Sequence, residues 1–130
     1  MRGVFLIAAF LLLVAVPPAR AQQLIGEYFA LLSPVDFYNS NGVRLRDFGA
    51  ILQQDRANFH RFGRRDDLDQ WDPVFGDAGQ RARIPGIWSV VQGSEYIPGA
   101  VLSGQTRYVW VRIYGFGTVP SYILVSEGAG

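Results

Sequence analysis

Apolar positions change their spacing several times along this chain, and each change marks a boundary between elements. From Gly3 to Val16 they form a run of 14 uncharged, nearly all apolar residues. From Gln23 to Ser33 (QLIGEYFALLS) apolar and aromatic residues dominate until Pro34 halts the run, which predicts a strand. Asp36 to Arg46 is mixed and holds Asn41-Gly42, the dipeptide suited to a type I′ turn, so a small hairpin is expected there. Asp47 to Gly63 is the clearest helix. Phe48, Ile51, Leu52, Phe59 and Phe62 fall on one stripe at about 100° per residue, with Asp47 placed to cap the start and Gly63 to close the end.

Arg64 to Asp72 (RRDDLDQWD) is a charged loop. Asp72-Pro73 reads as a cap followed by a first-turn proline, which predicts a short helix ending near Pro85. Ile87 to Gly104 gives two signals. Trp88, Val90 and Val91 favour a strand, while Ser94-Glu95 opening a run closed by Gly104 favours a helix, and the helix is the reading adopted. Arg107 to Tyr114 (RYVWVRIY) and Ser121 to Ser126 (SYILVS) are strands by composition, joined by a glycine-bearing turn. The pattern predicts an α+β domain over residues 22–130. A small antiparallel sheet, made of the N-terminal strand and the C-terminal hairpin, would pack against two or three short helices.

Composition changes this picture mainly at the N-terminus. Met1-Arg2, the apolar run, Pro17-Pro18 and then Ala19-Arg20-Ala21 have the order of a Sec-type export signal cleaved near Ala21. The run is shorter than the roughly 20 residues needed to span a bilayer, so no membrane span is expected in the mature chain. Removing the first 21 of 130 residues leaves 109 and takes away Arg2 and Arg20, so a net charge of +1 becomes −1. That balance argues against nucleic acid as a partner. No cysteine and no Asn-x-Ser/Thr site occur, which fits a bacterial periplasmic or secreted protein better than a disulfide-stapled one. Residues 44–83 concentrate the charge, with eight Arg and seven Asp, whereas residues 84–130 hold only Glu95, Arg107, Arg112 and Glu127.

Candidate chemistry is sparse. Asp55 lies within the apolar stripe of the long helix and so faces the core, where a carboxylate needs a partner; Arg81 is the expected one, in a buried structural ion pair. Arg56 and His60 stand one turn apart on the side read as exposed, and together they can hold an anionic group. Asp66, Asp67 and Asp69 are expected as ion-pair partners of Arg61. With Asp72 they form an acidic loop, but the neighbouring Arg64 and Arg65 compensate its charge. Asn39-x-Asn41-Gly42 resembles part of a calcium loop, yet Phe37 occupies the first ligand place and no Glu follows at the twelfth.

The strand from Arg107 to Tyr114 divides cleanly. Val109, Val111 and Ile113 share one face, and Tyr108, Trp110, Arg112 and Tyr114 share the other. The second set is the best candidate for a ligand or partner surface, because aromatic rings and Arg are enriched where proteins bind. No nucleophile elbow, metal-ligand set or phosphate loop is present, and no cofactor or metal is expected. The function expected is therefore a small exported binding or interaction module without enzymatic activity. Its partner would be a protein, peptide or saccharide of the envelope. The alternatives are a small periplasmic hydrolase using Asp55 and His60, or a structural accessory of an envelope assembly. Exposure of Tyr108, Trp110 and Tyr114 together is what separates the first from the rest.

Overall fold

The computed structural model describes residues 12–16 and 21–128. Most of the segment read as an export signal lies outside the described residues, and residues 12–16 have no regular structure. The fold is α+β, with a four-stranded sheet and four short helices. The strands are β1 (Gln23–Leu32), β2 (Trp88–Val90), β3 (Arg107–Phe116) and β4 (Val119–Glu127). Their order across the sheet is β1-β3-β4-β2. β3 pairs antiparallel with both β1 and β4, whereas β2 runs parallel to β4. The sheet is thus mixed, where a purely antiparallel one was expected. The extra strand comes from the segment of double signal: its first part, Trp88–Val90, is β2, and its second is helix α4 (Tyr96–Leu102).

Alternation dictates which side of the sheet is buried. Tyr28, Ala30 and Leu32 of β1, Val109, Val111 and Ile113 of β3, and Ile123 and Val125 of β4 point inward and are all fully buried. The helices cover this face. Phe48, Ile51 and Leu52 of α1 (Phe48–Ala57), Ile84 of α3 (Ile84–Ile87), and Ile97 and Val101 of α4 join the strand residues in one core. Among the described residues no helix is long and apolar enough to cross a membrane.

Helix α1 forms where the stripe predicts it. The Asp47 carboxylate accepts the Ala50 N–H at 2.9 Å, satisfying a free amide of the first turn. After Ala57 the helix widens into one π-helical turn (Asn58–Phe62), which ends at Gly63 with φ 65°. The wider turn rotates Phe62 off the stripe, so this expected core residue is 39% exposed. Gly49 lets α1 approach its neighbour: a Cβ there would sit 2.7 Å from the Pro85 Cα and 2.7 Å from the Trp88 indole nitrogen.

Three local expectations are corrected. Asn41-Gly42 does not make a type I′ turn, since no residue other than glycine has positive φ among the described residues. Instead the Asn39 carbonyl accepts the Gly42 N–H, and the Asn39 side chain accepts the amides of Asn41 and Val43, with Gly42 alone left-handed at φ 76°. This is a type I turn closed by glycine, a three-residue solution to the same reversal. Asp72 caps no helix: its Oδ2 accepts the Val74 and Phe75 amides in a tight turn. Helix α2 (Ala78–Arg81) begins later, capped by Asp77, and Pro85 lies in the first turn of α3 where an ending was expected.

Candidate functional site

Chemistry-bearing residues gather in two places, on opposite sides of the β1 backbone. On the outward face of the sheet stand Tyr108, Trp110, Arg112 and Tyr114 from β3, all partly exposed. Phe29 of β1 is opposite Trp110, and Tyr122 of β4 is opposite Tyr114. The rings stack in register. Phe29 lies 5.5 Å from Tyr108 and 5.8 Å from Trp110, the latter almost parallel at 8°, and Tyr114 stacks on Tyr122 at 4.9 Å and 10°. The Arg112 guanidinium sits 4.4 Å from the Trp110 ring centre. Glu27 is directly opposite Arg112 across the strands, yet the two form no ion pair. Phe29 and Tyr122 were not singled out from the sequence, although both follow the alternation of their own strands.

On the helical side lies a buried polar network centred on Arg56, and here the assignments change. Asp55 pairs with its neighbour Arg56 and not with Arg81: Arg56 Nε donates to Asp55 Oδ2 at 2.8 Å. Arg56 Nη1 donates to the Gln70 carbonyl at 2.8 Å and to Asp72 Oδ1 at 3.0 Å. Its guanidinium also lies 3.7 Å from the centre of the Tyr28 ring. Arg56 is therefore fully buried, which removes the expected anion-binding pair with His60. The helical wheel placed it outside because the 64–72 loop, which folds back over it, is invisible to periodicity. Arg81 instead donates Nη1 to the carbonyls of Phe75 and Gly76.

His60 approaches Asp72, with its Nε2 2.7 Å from Asp72 Oδ1. His60 thus contacts Asp72 and not Asp55, the acid named with it in the hydrolase alternative. No Ser or Thr hydroxyl is hydrogen-bonded to His60 among the described residues.

Burial shapes the acids of this network. It raises Asp55 to about 6 against the opposing Arg56 charge. Asp36, which accepts N–H groups from Ser33 and Asn58, is pushed to about 8 by burial and then by the nearby Asp55 charge. Burial acts on Asp72 too, but hydrogen bonds from His60 and the Phe75 amide, together with Arg56, hold it below the usual carboxylate range.

The acidic loop is used for attachment. Asp69 Oδ1 accepts the Leu31 amide, Asp69 Oδ2 the Asp66 amide, and Asp66 the Ser33 hydroxyl. None of its acids pairs with Arg61, contrary to expectation. No cluster of three or more metal-ligating side chains occurs among the described residues. A scan against protein-family models, a search of curated proteins and a search of solved structures each returned no match.

Proposed function

We propose that this protein is an exported binding module whose docking surface is the outward face of the sheet, and that the partner is a protein surface. The observation that carries the reading is a continuous aromatic face, Phe29, Tyr108, Trp110, Tyr114 and Tyr122 with Arg112, on the side of the sheet opposite the helical core. Tyr, Trp and Arg are the residues that dominate binding energy at protein interfaces. A saccharide is less well suited. Sugar rings stack on free aromatic faces, and here ring faces are taken up by neighbouring rings and by Arg112. The phenol hydroxyls of Tyr108, Tyr114 and Tyr122 have no hydrogen-bond partner among the described residues, where only Tyr96 of the tyrosines donates its hydroxyl, and they suit a surface rich in carbonyl oxygens. Glu27 and Arg112, adjacent but unpaired, add one charge of each sign and so favour a partner patch of near-zero net charge.

The test introduces a photo-crosslinking amino acid at Tyr114, with exposed Arg83 on the helical side as control. A single dominant protein adduct from position 114 alone is expected. The purified partner should then bind the unmodified protein, and Trp110→Ser should weaken that binding at least about tenfold. Equal adducts from both positions, or undiminished binding by Trp110→Ser, would overturn the docking face. If the adduct is a second copy of this chain, the partner is the protein itself.

Export belongs to the same proposal and rests on the order of charge, apolar run and Ala-Arg-Ala at the N-terminus. The protein recovered from its cells should begin at Gln22 and be found outside the cytoplasm. Recovery of the uncleaved chain from the cytoplasm would refute it.

A further inference from the structure

A second site stands apart from the aromatic face. Between the 39–45 turn, helix α1 and helix α2 lies a groove of about 350 Å³, lined among others by Asn39, Gln53, Ala57, Arg61, Phe62 and Arg81. That volume is within the range of small-molecule sites. No carboxylate lines it, although seven Asp occur in the surrounding stretch 44–83. The acids nearest in sequence are engaged elsewhere: Asp47 and Asp77 cap helices, and Asp55 is held by Arg56. Two guanidinium groups therefore border the groove without an acidic partner.

Their setting is specific. Arg81 is 7% exposed, and its Nη1 is fixed on two carbonyls, which leaves Nε and Nη2 without a partner among the described residues. The Arg61 side chain makes no hydrogen bond or ion pair among the described residues and lies over the Phe62 ring at 5.0 Å. The π-helical turn is what brings Phe62 out of the core stripe to form the apolar wall beside these charges. The Gln53 side chain makes no hydrogen bond among the described residues. Asn39 spends its oxygen on its own turn and retains its amide donors. Donors outnumber acceptors, and an apolar wall runs alongside them.

We propose that the groove binds a small organic carboxylate, with Arg61 and Arg81 holding the carboxylate and Phe62 and Ala57 flanking its apolar body. A planar carboxylate matches guanidinium forks. Inorganic phosphate would leave the apolar wall without a contact. It would also find one first-turn amide of α2, that of Gln80, already taken by Asp77.

The test follows the side-chain Nε–H signals of the arginines by NMR in the full mature protein, titrated with sodium benzoate. Sodium phosphate and sodium chloride at equal ionic strength serve as comparisons. Saturable shifts at Arg61 and Arg81 with benzoate are expected, with phosphate at least about tenfold weaker. Arg61→Gln should weaken benzoate by about tenfold and still fold, since the Arg61 side chain is exposed and makes no hydrogen bond or ion pair among the described residues. Ala57→Leu fills the groove without changing charge and should abolish the response, while Arg83→Gln, outside the groove, should leave it intact. Shifts that never saturate, phosphate as tight as benzoate, or undiminished binding by Ala57→Leu would each overturn the proposal. Binding here is independent of the sheet face, so Trp110→Ser should not affect it.

Discussion

Arg56 carries its charge beneath a fully buried side chain, and removing water from a guanidinium costs several kcal/mol unless its donors and charge are matched. Asp55, Asp72, the Gln70 carbonyl and the Tyr28 ring match its charge and the donors on Nε and Nη1, while Nη2 has no hydrogen-bond partner among the described residues. Arg56→Met keeps the bulk but leaves two buried carboxylates without their cation, and chemical denaturation should show a loss of about 3–5 kcal/mol. The acids also give stability a sign with pH. Asp36 and Asp55 are raised from 3.8 to about 8 and about 6, so the folded chain holds protons that the unfolded chain releases. Stability contributed by these two is therefore present at low pH and lost as pH rises towards about 8. Asp72 is lowered and acts in the opposite sense, losing its contribution only as pH falls below the ordinary carboxylate range. The melting temperature should be highest near pH ~4, the ordinary carboxylate value, and decline towards pH 8. Asp36→Asn should flatten that decline, and an unchanged slope would show that Asp36 is not its source.

At the scale of elements, the signals written locally were legible. The Asp47 cap, the Phe48–Ile51–Leu52 stripe and Gly63 define α1, and strict alternation in β3 separates the core face from the aromatic face. The elements that depended on distant partners were not. β2 has only three residues, so the strand signal of Trp88 and Val90 yielded to the helix signal that follows it, and pairing beside β4 decides it. Asp72 looks like a helix cap in sequence, but Arg56 and His60 claim one of its oxygens and a turn the other. The Asp55–Arg56 contact was invisible because neighbours on a helix do not normally face one another. Of the aromatic face, the four β3 residues were legible, and Phe29 and Tyr122 join them only through strand pairing. The Arg61–Arg81 groove was missed, since a regular helix hides the rotation that the π-helical turn introduces. Packing between elements gives a further expectation. Gly49→Ala would press a methyl into Pro85 and Trp88, and thermal unfolding should show a loss of about 1–3 kcal/mol.

For the molecule as a whole, the sheet ties its two ends together. β1 pairs with β3 from Gln23 opposite Gly115 to Leu32 opposite Arg107, closing a loop that contains every helix among the described residues. Contacts so far apart in sequence are formed late and slowly, and refolding should take milliseconds to seconds, not microseconds. Among the described residues, nothing before Ile25 packs in or against the core, so a chain starting at Gln22 should melt at the same temperature as the full sequence. A drop on removing residues 1–21 would mean that this segment packs on the domain.

The loop that buries Arg56 has another effect on the sheet. It runs beside the outer edge of β1: the Asp69 carboxylate and the Gln70 side chain take the Leu31 and Phe29 amides, Gln70 N–H meets the Phe29 carbonyl, and Pro73 lies against Gly26. The other edge, at β2, is only three residues long. Growth of fibrils by strand addition needs both edges of every copy open, because each added chain must offer a fresh template. Here a strand docking at β2 would meet a copy whose opposite edge is already sealed. Edge-to-edge association of folded chains therefore stops at one addition, and a long filament requires Asp69 and Gln70 to let go first.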